Sequence, residues 1–162
     1  MMNTETEAYW QAYLSALPVD LPRPLSYLAD HCGSSPEEAV ELATLVLAGT
    51  KTATAGLLWT YPQVDGRMLQ PGDFTVVTDL CDRPLGVIET THIEVRPFRL
   101  VDAEHAYLEG EGDRTLRFWR EVHWRIFASE CAELGREASE DMPVVCERFR
   151  LVYPPVVAGN RP

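Results

Sequence analysis

Apolar residues recur at helical spacing at the start of the chain, where Tyr9, Trp10, Tyr13, Leu14 and Leu17 form one stripe over residues 5–17. Pro18, Pro22 and Pro24 then stop the helix and begin a connecting segment. A second helix is predicted over 36–48. Ser35 can cap it, Pro36 fits the first helical position, Glu37 and Glu38 suit the first turn, and Gly49 is a natural terminator after Ala48. From there the period changes to two. Residues 52–59, 73–80 and 84–95 are rich in Val, Ile, Thr and aromatics and read as strands. Turns are expected at Pro71-Gly72-Asp73 and at Cys81-Asp82-Arg83-Pro84. A short helical stretch around 102–107 precedes a glycine-broken acidic loop, Glu109-Gly110-Glu111-Gly112-Asp113. A long helix follows from about Arg114 to Leu134, with Asp113 as its cap. Its apolar face carries Leu116, Trp119, His123, Ile126, Phe127, Cys131 and Leu134, and Gly135 closes it. Residues 144–153 read as a final strand.

The order helix, helix, strands, helix, strand lacks the regular alternation of a parallel sheet. It predicts an α+β fold with a curved, mainly antiparallel sheet or small barrel, closed by the last strand after the long helix. The 162 residues suffice for one compact core, and no repeat or low-complexity tract divides them. The expected organisation is a leading helix and proline-rich link over 1–24, one domain over 25–153, and a tail over 154–162.

Composition adds two constraints. The net charge of −11 opposes gripping a long nucleic acid through its phosphates, so extended nonspecific binding of RNA or DNA is disfavoured. A small nucleoside-like ligand or a short single-stranded RNA meets little of that repulsion. The longest apolar runs are too short to span a bilayer, and the acidic start lacks the features of a signal peptide, so a cytoplasmic protein is expected. Cys32, Cys81, Cys131 and Cys146 form no C-x-x-C pair and read as buried thiols; the four histidines are equally scattered. Neither a metal nor a cofactor is expected, and the oligomeric state stays open.

The second constraint is a bias within the basic residues: thirteen are arginine and one, Lys51, is lysine. It sits in the most motif-like segment, Ala48-Gly49-Thr50-Lys51-Thr52-Ala53-Thr54. An ammonium in a desolvated pocket can lose its proton and serve as a base, which a guanidinium cannot. Lys51 is the first candidate for chemistry.

Gly49-x-Lys51-x-x-Thr54 at a helix end, the Pro71-Gly72-Asp73 strand, Val87-Ile88-Glu89-Thr90-Thr91, the Glu109–Leu116 segment and the ending Glu140-Asp141-Met142-Pro143-Val144-Val145-Cys146-Glu147-Arg148-Phe149 resemble the ASCH domain family over about residues 25–153. The resemblance implies a PUA-like fold, a small mainly antiparallel β-barrel flanked by helices, in a superfamily whose members often bind RNA. It also implies an activity: some smaller relatives look like amidohydrolases that deacylate N4-acetylcytidine with a Lys, a Thr and a Glu, and some larger ones have been described as ribonucleases. Lys51 and Thr54 match the first two positions, and Glu111 or Glu109 fits the third, with Glu111 preferred because it lies nearer the following helix. In this reading Thr54 attacks the acyl carbon, a neutral Lys51 takes its proton and the glutamate serves the leaving nitrogen.

The pair carries a geometric condition. Strand positions three apart face opposite ways, so Lys51 and Thr54 share a site only if residues 49–52 form a turn or bulge. Gly49 and Thr52 frame that turn and join the candidate substrate-binding residues. Trp59, with Tyr61 beyond it, is placed to stack on a base, Glu89 to serve as a reserve acid, and Arg114 to pair with Glu111 or reach a ligand oxygen. Each has a structural alternative: Thr52 and Thr54 as strand formers, the acidic loop as solvated surface, Trp59 and Trp119 as core, and Trp124 as a contact for the leading helix. Besides the amidohydrolase, a ribonuclease using the same pocket, a noncatalytic RNA- or nucleotide-binding module and an adaptor working through the leading helix remain open.

Overall fold

The structure is a computed structural model that describes residues 3–154. Helices α1 (Thr4–Ala16) and α2 (Pro36–Leu47) flank the short strand β1 (Leu28–His31). Strand β2 (Ala53–Leu57), the hairpin of β3 (Gln63–Val64) and β4 (Arg67–Met68), and strands β5 (Phe74–Thr78) and β6 (Pro84–Pro97) follow. Helices α3 (Ala103–Glu109) and α4 (Leu116–Glu133) then lead to β7 (Pro143–Tyr153). Five strands form one curled sheet in the order β1-β5-β6-β7-β2, a half-barrel. Only β1–β5 is parallel; the other pairs are antiparallel, as expected from the sequence.

Side-chain alternation divides the sheet between two tasks. Val144 and Cys146 of β7, with Leu57 of β2, face Trp119, Phe127 and Cys131 of α4 and build the largest core. Glu147 and Phe149, one position out of phase, face a cavity on the other side. The long helix packs on the core through Trp119, Phe127 and Cys131 and also borders the cavity through Phe118, Val122 and His123. Its contact stripe is narrower than expected, because Ile126 and Leu134 are exposed.

Helix α1 closes the opposite end. Its Trp10 ring lies 4.9 Å from Tyr27 and 5.8 Å from Phe74, over Val76 and Val87. Of the aromatic stripe, Trp10 and Tyr13 are buried against the sheet, while Tyr9, Leu14 and Leu17 are half-buried. Trp124 does not meet this helix; it packs edge-on against Phe98 at 5.3 Å.

Three local differences from expectation have plain causes. Strand β1 was not foreseen because four residues after a proline-rich link carry too short a period. The β3–β4 hairpin turns at Asp65-Gly66, both at positive φ, an Asp-Gly signal passed over because its strands have two residues each. Helix α4 begins at Leu116 with Thr115 as its cap, because Asp113 turns its carboxylate onto Thr115 and leaves the capping to that hydroxyl. Of the cysteines only Cys131 and Cys146 are buried; Cys32 is half-buried and Cys81 exposed. The proposed tail lies outside the described residues beyond Pro154, and among the described residues no helix is long and apolar enough to cross a membrane.

Because Trp10 anchors an aromatic cluster rather than a single contact, Trp10→Ala is expected to cost about 3–5 kcal/mol in urea unfolding. A loss below about 1 kcal/mol would show that α1 contributes little to the sheet.

Candidate functional site

The site begins where α2 ends. Gly49 adopts φ +73°, and the amides of Thr50 and Lys51 both return to the Leu45 carbonyl, at 2.9 and 3.0 Å. The chain thus folds back before the ladder starts at Ala53, which pairs with Arg148. The turn required by the Lys51/Thr54 spacing exists, and both residues line one cavity of about 630 Å³. The Thr52 amide then donates to Leu108 O at 2.8 Å, which sets Lys51 beside Glu109, the last residue of α3.

Lys51 is 2% exposed, and its Nζ donates to Glu109 Oε2 at 3.2 Å and to Glu111 Oε1 at 2.7 Å. The two glutamates are not alternatives: both hold the ammonium, Glu109 from within and Glu111 from the partly open side. Around Glu109 further donors converge. Trp119 Nε1 donates to Oε1 at 2.7 Å and His105 Nε2 to the same oxygen at 3.0 Å, while His123 Nε2 lies 3.6 Å from Oε2. His123 is itself stacked on Trp119 at 4.2 Å.

This arrangement bears directly on the charge of Lys51. Burial alone would lower the ammonium's pKa, but the Glu109 and Glu111 carboxylates outweigh it and hold the group above its ordinary value. These surroundings favour the charged form of the amine. Burial likewise tends to raise the Glu109 carboxyl, yet Lys51, His123 and His105 outweigh it and hold that group below the usual range.

The remaining site expectations divide. Thr54 faces the cavity, and its side chain makes no hydrogen bond among the described residues. Tyr61 also lines the cavity, whereas Trp59 sits outside the strand with Arg136 stacked 4.2 Å over its ring. Glu89 points away from the cavity into an ion pair with Arg150 at 2.6 Å. Arg114 lies 3.7 Å over the Tyr107 ring and donates from Nε to Tyr107 O, outside the cavity lining. Gly49 and Thr52 shape the turn without lining the cavity.

Sequence reading missed two parts of the site. His105 and His123 meet at Glu109 although eighteen residues separate them in sequence; the four-residue spacing of His105 to Glu109 and of Trp119 to His123 was the available signal. Glu147 was quoted only as part of the motif. It is 3% exposed, lies directly across from Thr54 in the ladder, and accepts from Thr90 Oγ1 at 2.6 Å and Tyr61 OH at 2.5 Å. Asp30 on β1, which burial pushes above its ordinary value, lines the same cavity. Seven carboxylates line the cavity against the two permanently basic side chains Lys51 and Arg125, so the pocket repels polyanions. Among the described residues no group of three or more His, Cys, Asp or Glu is arranged to hold a metal ion.

Two measurements test this geometry. Gly110 has φ +72° and a Cβ there would stand 2.6 Å from Thr50 O, whereas Gly49, with the same backbone sign, has nothing within 4 Å. Gly110→Ala is therefore expected to lower stability by at least about 1 kcal/mol more than Gly49→Ala; equal losses would mean the approach of the two loops is not tight. Because the Glu109 carboxyl is depressed on folding, its pairing stabilises the protein fully above the unfolded value of roughly 4.3 and is lost as pH falls through the lower folded value. The urea midpoint should accordingly fall more steeply between about pH 5 and about pH 3 for the wild type than for Glu109→Gln. Parallel slopes would refute the ionised pair.

A family model described as the ASCH domain matches residues 29–153. The crystal structure of an ASCH domain from Lactobacillus crispatus JV V101 superposes with a TM-score of 0.86 at 35% identity, over 94% of this chain and 96% of that one. A protein from Enterococcus faecalis V583 superposes with a TM-score of 0.80 at 29% identity, over 99% of this chain and all of that one. No curated protein matches the chain. The motif turn, the half-barrel and these likenesses agree: the chain belongs to the ASCH domain family, a PUA-like fold often linked to RNA binding or hydrolysis.

Proposed function

We propose that the protein is a hydrolase that cleaves the amide of a small modified nucleoside of the N4-acylcytidine type. One observation carries the reading: a buried ammonium fixed by two carboxylates opens onto the same cavity as an unengaged threonine hydroxyl. Amide cleavage needs a nucleophile, an acceptor for its proton and positive charge where the carbonyl oxygen becomes an oxyanion. Thr54 supplies the first. Glu111, partly exposed and tied to Lys51 through one oxygen, supplies the second. Lys51 supplies the third, and Glu109, held by Trp119 and His105, keeps the ammonium in place.

The carboxylate excess favours a small ligand of little negative charge and weighs against ribonucleolytic action on a polyanion. It equally weighs against a purely RNA-binding role, because phosphate contacts supply most affinity for that polymer.

Lys51→Met is expected to reduce kcat for N4-acetylcytidine by roughly 10²–10³-fold, the usual effect of losing one oxyanion donor. Lys51→Arg keeps the charge and should retain part of the activity. Product formation followed by mass spectrometry decides the matter, and undiminished turnover by the methionine variant would overturn the assignment.

A further inference from the structure

Glu147 is a second buried carboxyl of the cavity, and among the described residues no cation forms an ion pair with it. Its two oxygens accept from the neutral hydroxyls of Thr90 on β6 and Tyr61 after β2, at 2.6 and 2.5 Å. This contrasts with Glu109, whose donors include an ammonium. Both carboxyls line the cavity with Thr54, and Glu147 is the cross-strand partner of Thr54 on the same sheet face. Directly paired positions of an antiparallel ladder bring their side chains within roughly 5 Å of one another at Cβ. A substrate atom attacked by Thr54 from the cavity thus meets a lining that holds Lys51, Glu111 and Glu147 together.

We infer that Glu147 is the general acid of the site, giving its proton to the nitrogen that leaves when the amide breaks. This rests on the hydrolase reading and adds to it the residue that resolves the leaving group. The titratable groups facing Glu147 are Tyr61, Asp30 and Lys51. Burial dominates over its hydrogen bonds and raises the carboxyl, with Asp30 adding to the effect, which favours the protonated form that an acid requires.

The proton accounting closes. Thr54 Oγ1 bonds to the acyl carbon while its proton passes to Glu111, and the resulting oxyanion faces the Lys51 ammonium. The C–N bond then breaks and the nitrogen takes the Glu147 proton, leaving an ester on Thr54 and a carboxylate at 147. Water adds to the ester carbon and gives a proton to Glu147; the C–O bond breaks as the Glu111 proton returns to the threonine oxygen. One amide and one water become one acid and one amine, with both carboxyls restored.

The test compares wild type and Glu147→Gln on N4-acetylcytidine, whose amine must be protonated to leave, and on p-nitrophenyl acetate, whose phenolate leaves unaided. Amide turnover should fall by about 10²–10⁴-fold, while the first-turnover release of nitrophenolate persists. Equal loss on both substrates, or no loss on the amide, overturns the inference. A wild type that cleaves no N-acylated nucleoside removes the hydrolase reading and the inference with it, whereas an active wild type beside an unimpaired Glu147→Gln removes the inference alone. Tyr61→Phe gives an independent readout if the glutamine variant does not fold. It deletes a donor that favours the charged carboxyl, so the high-pH limb of kcat should move to higher pH; an unmoved limb counts against Glu147 as the acid.

Discussion

An ammonium taken out of water is tolerated only where negative charge meets it with good geometry, and Lys51 imposes that condition on half the molecule. Glu109 must arrive from the end of α3 and Glu111 from the loop beyond it. Glu109 in turn needs donors for its second oxygen, which Trp119 and His105 provide from α4 and α3. Removing one member of such a pair typically costs about 3–5 kcal/mol, because the survivor is left buried without compensation. The position of α4 against the sheet is therefore set as much by a carboxylate oxygen as by Phe127 and Cys131 in the core.

The same condition explains the glycines of the acidic loop. Gly110 lets the chain pass against the Thr50 carbonyl, and Gly112 leaves the Phe118 ring the space a Cβ would occupy. Between them Glu111 turns back over Lys51. A sequence that looks like a solvated charge run is a strap across a buried cation. Its last acid, Asp113, braces Thr115 so that the threonine can start α4.

Much of this was legible in the sequence, and unevenly so. Long elements with a clear period were: α1, α2, α4 and the strands β5, β6 and β7 lie near their expected positions, because burial on one face imposes the period directly. The lone lysine and the Gly49 turn pointed to the cavity. Glu89, Arg114 and Trp59 lie outside the cavity lining, each with a partner that only the folded chain supplies: Arg150, Tyr107 and Arg136. Glu147 and His123 were passed over for the converse reason. Each reads as an ordinary member of a strand or helix until register sets it beside residues far along the chain. The charge preference of Lys51 also depends on such neighbours, Glu109 and Glu111, which residue type alone does not reveal.

Strand β7 follows every other element described, yet it lies inside the sheet between β6 and β2. A growing polypeptide that has not yet released residues 143–153 has no bridge joining the Lys51 turn to the β5–β6 hairpin, and it lacks Glu147 altogether. During vectorial synthesis the sheet can therefore become continuous only after that strand emerges, and a shortened translation product ending before it would carry the Lys51 motif without Glu147.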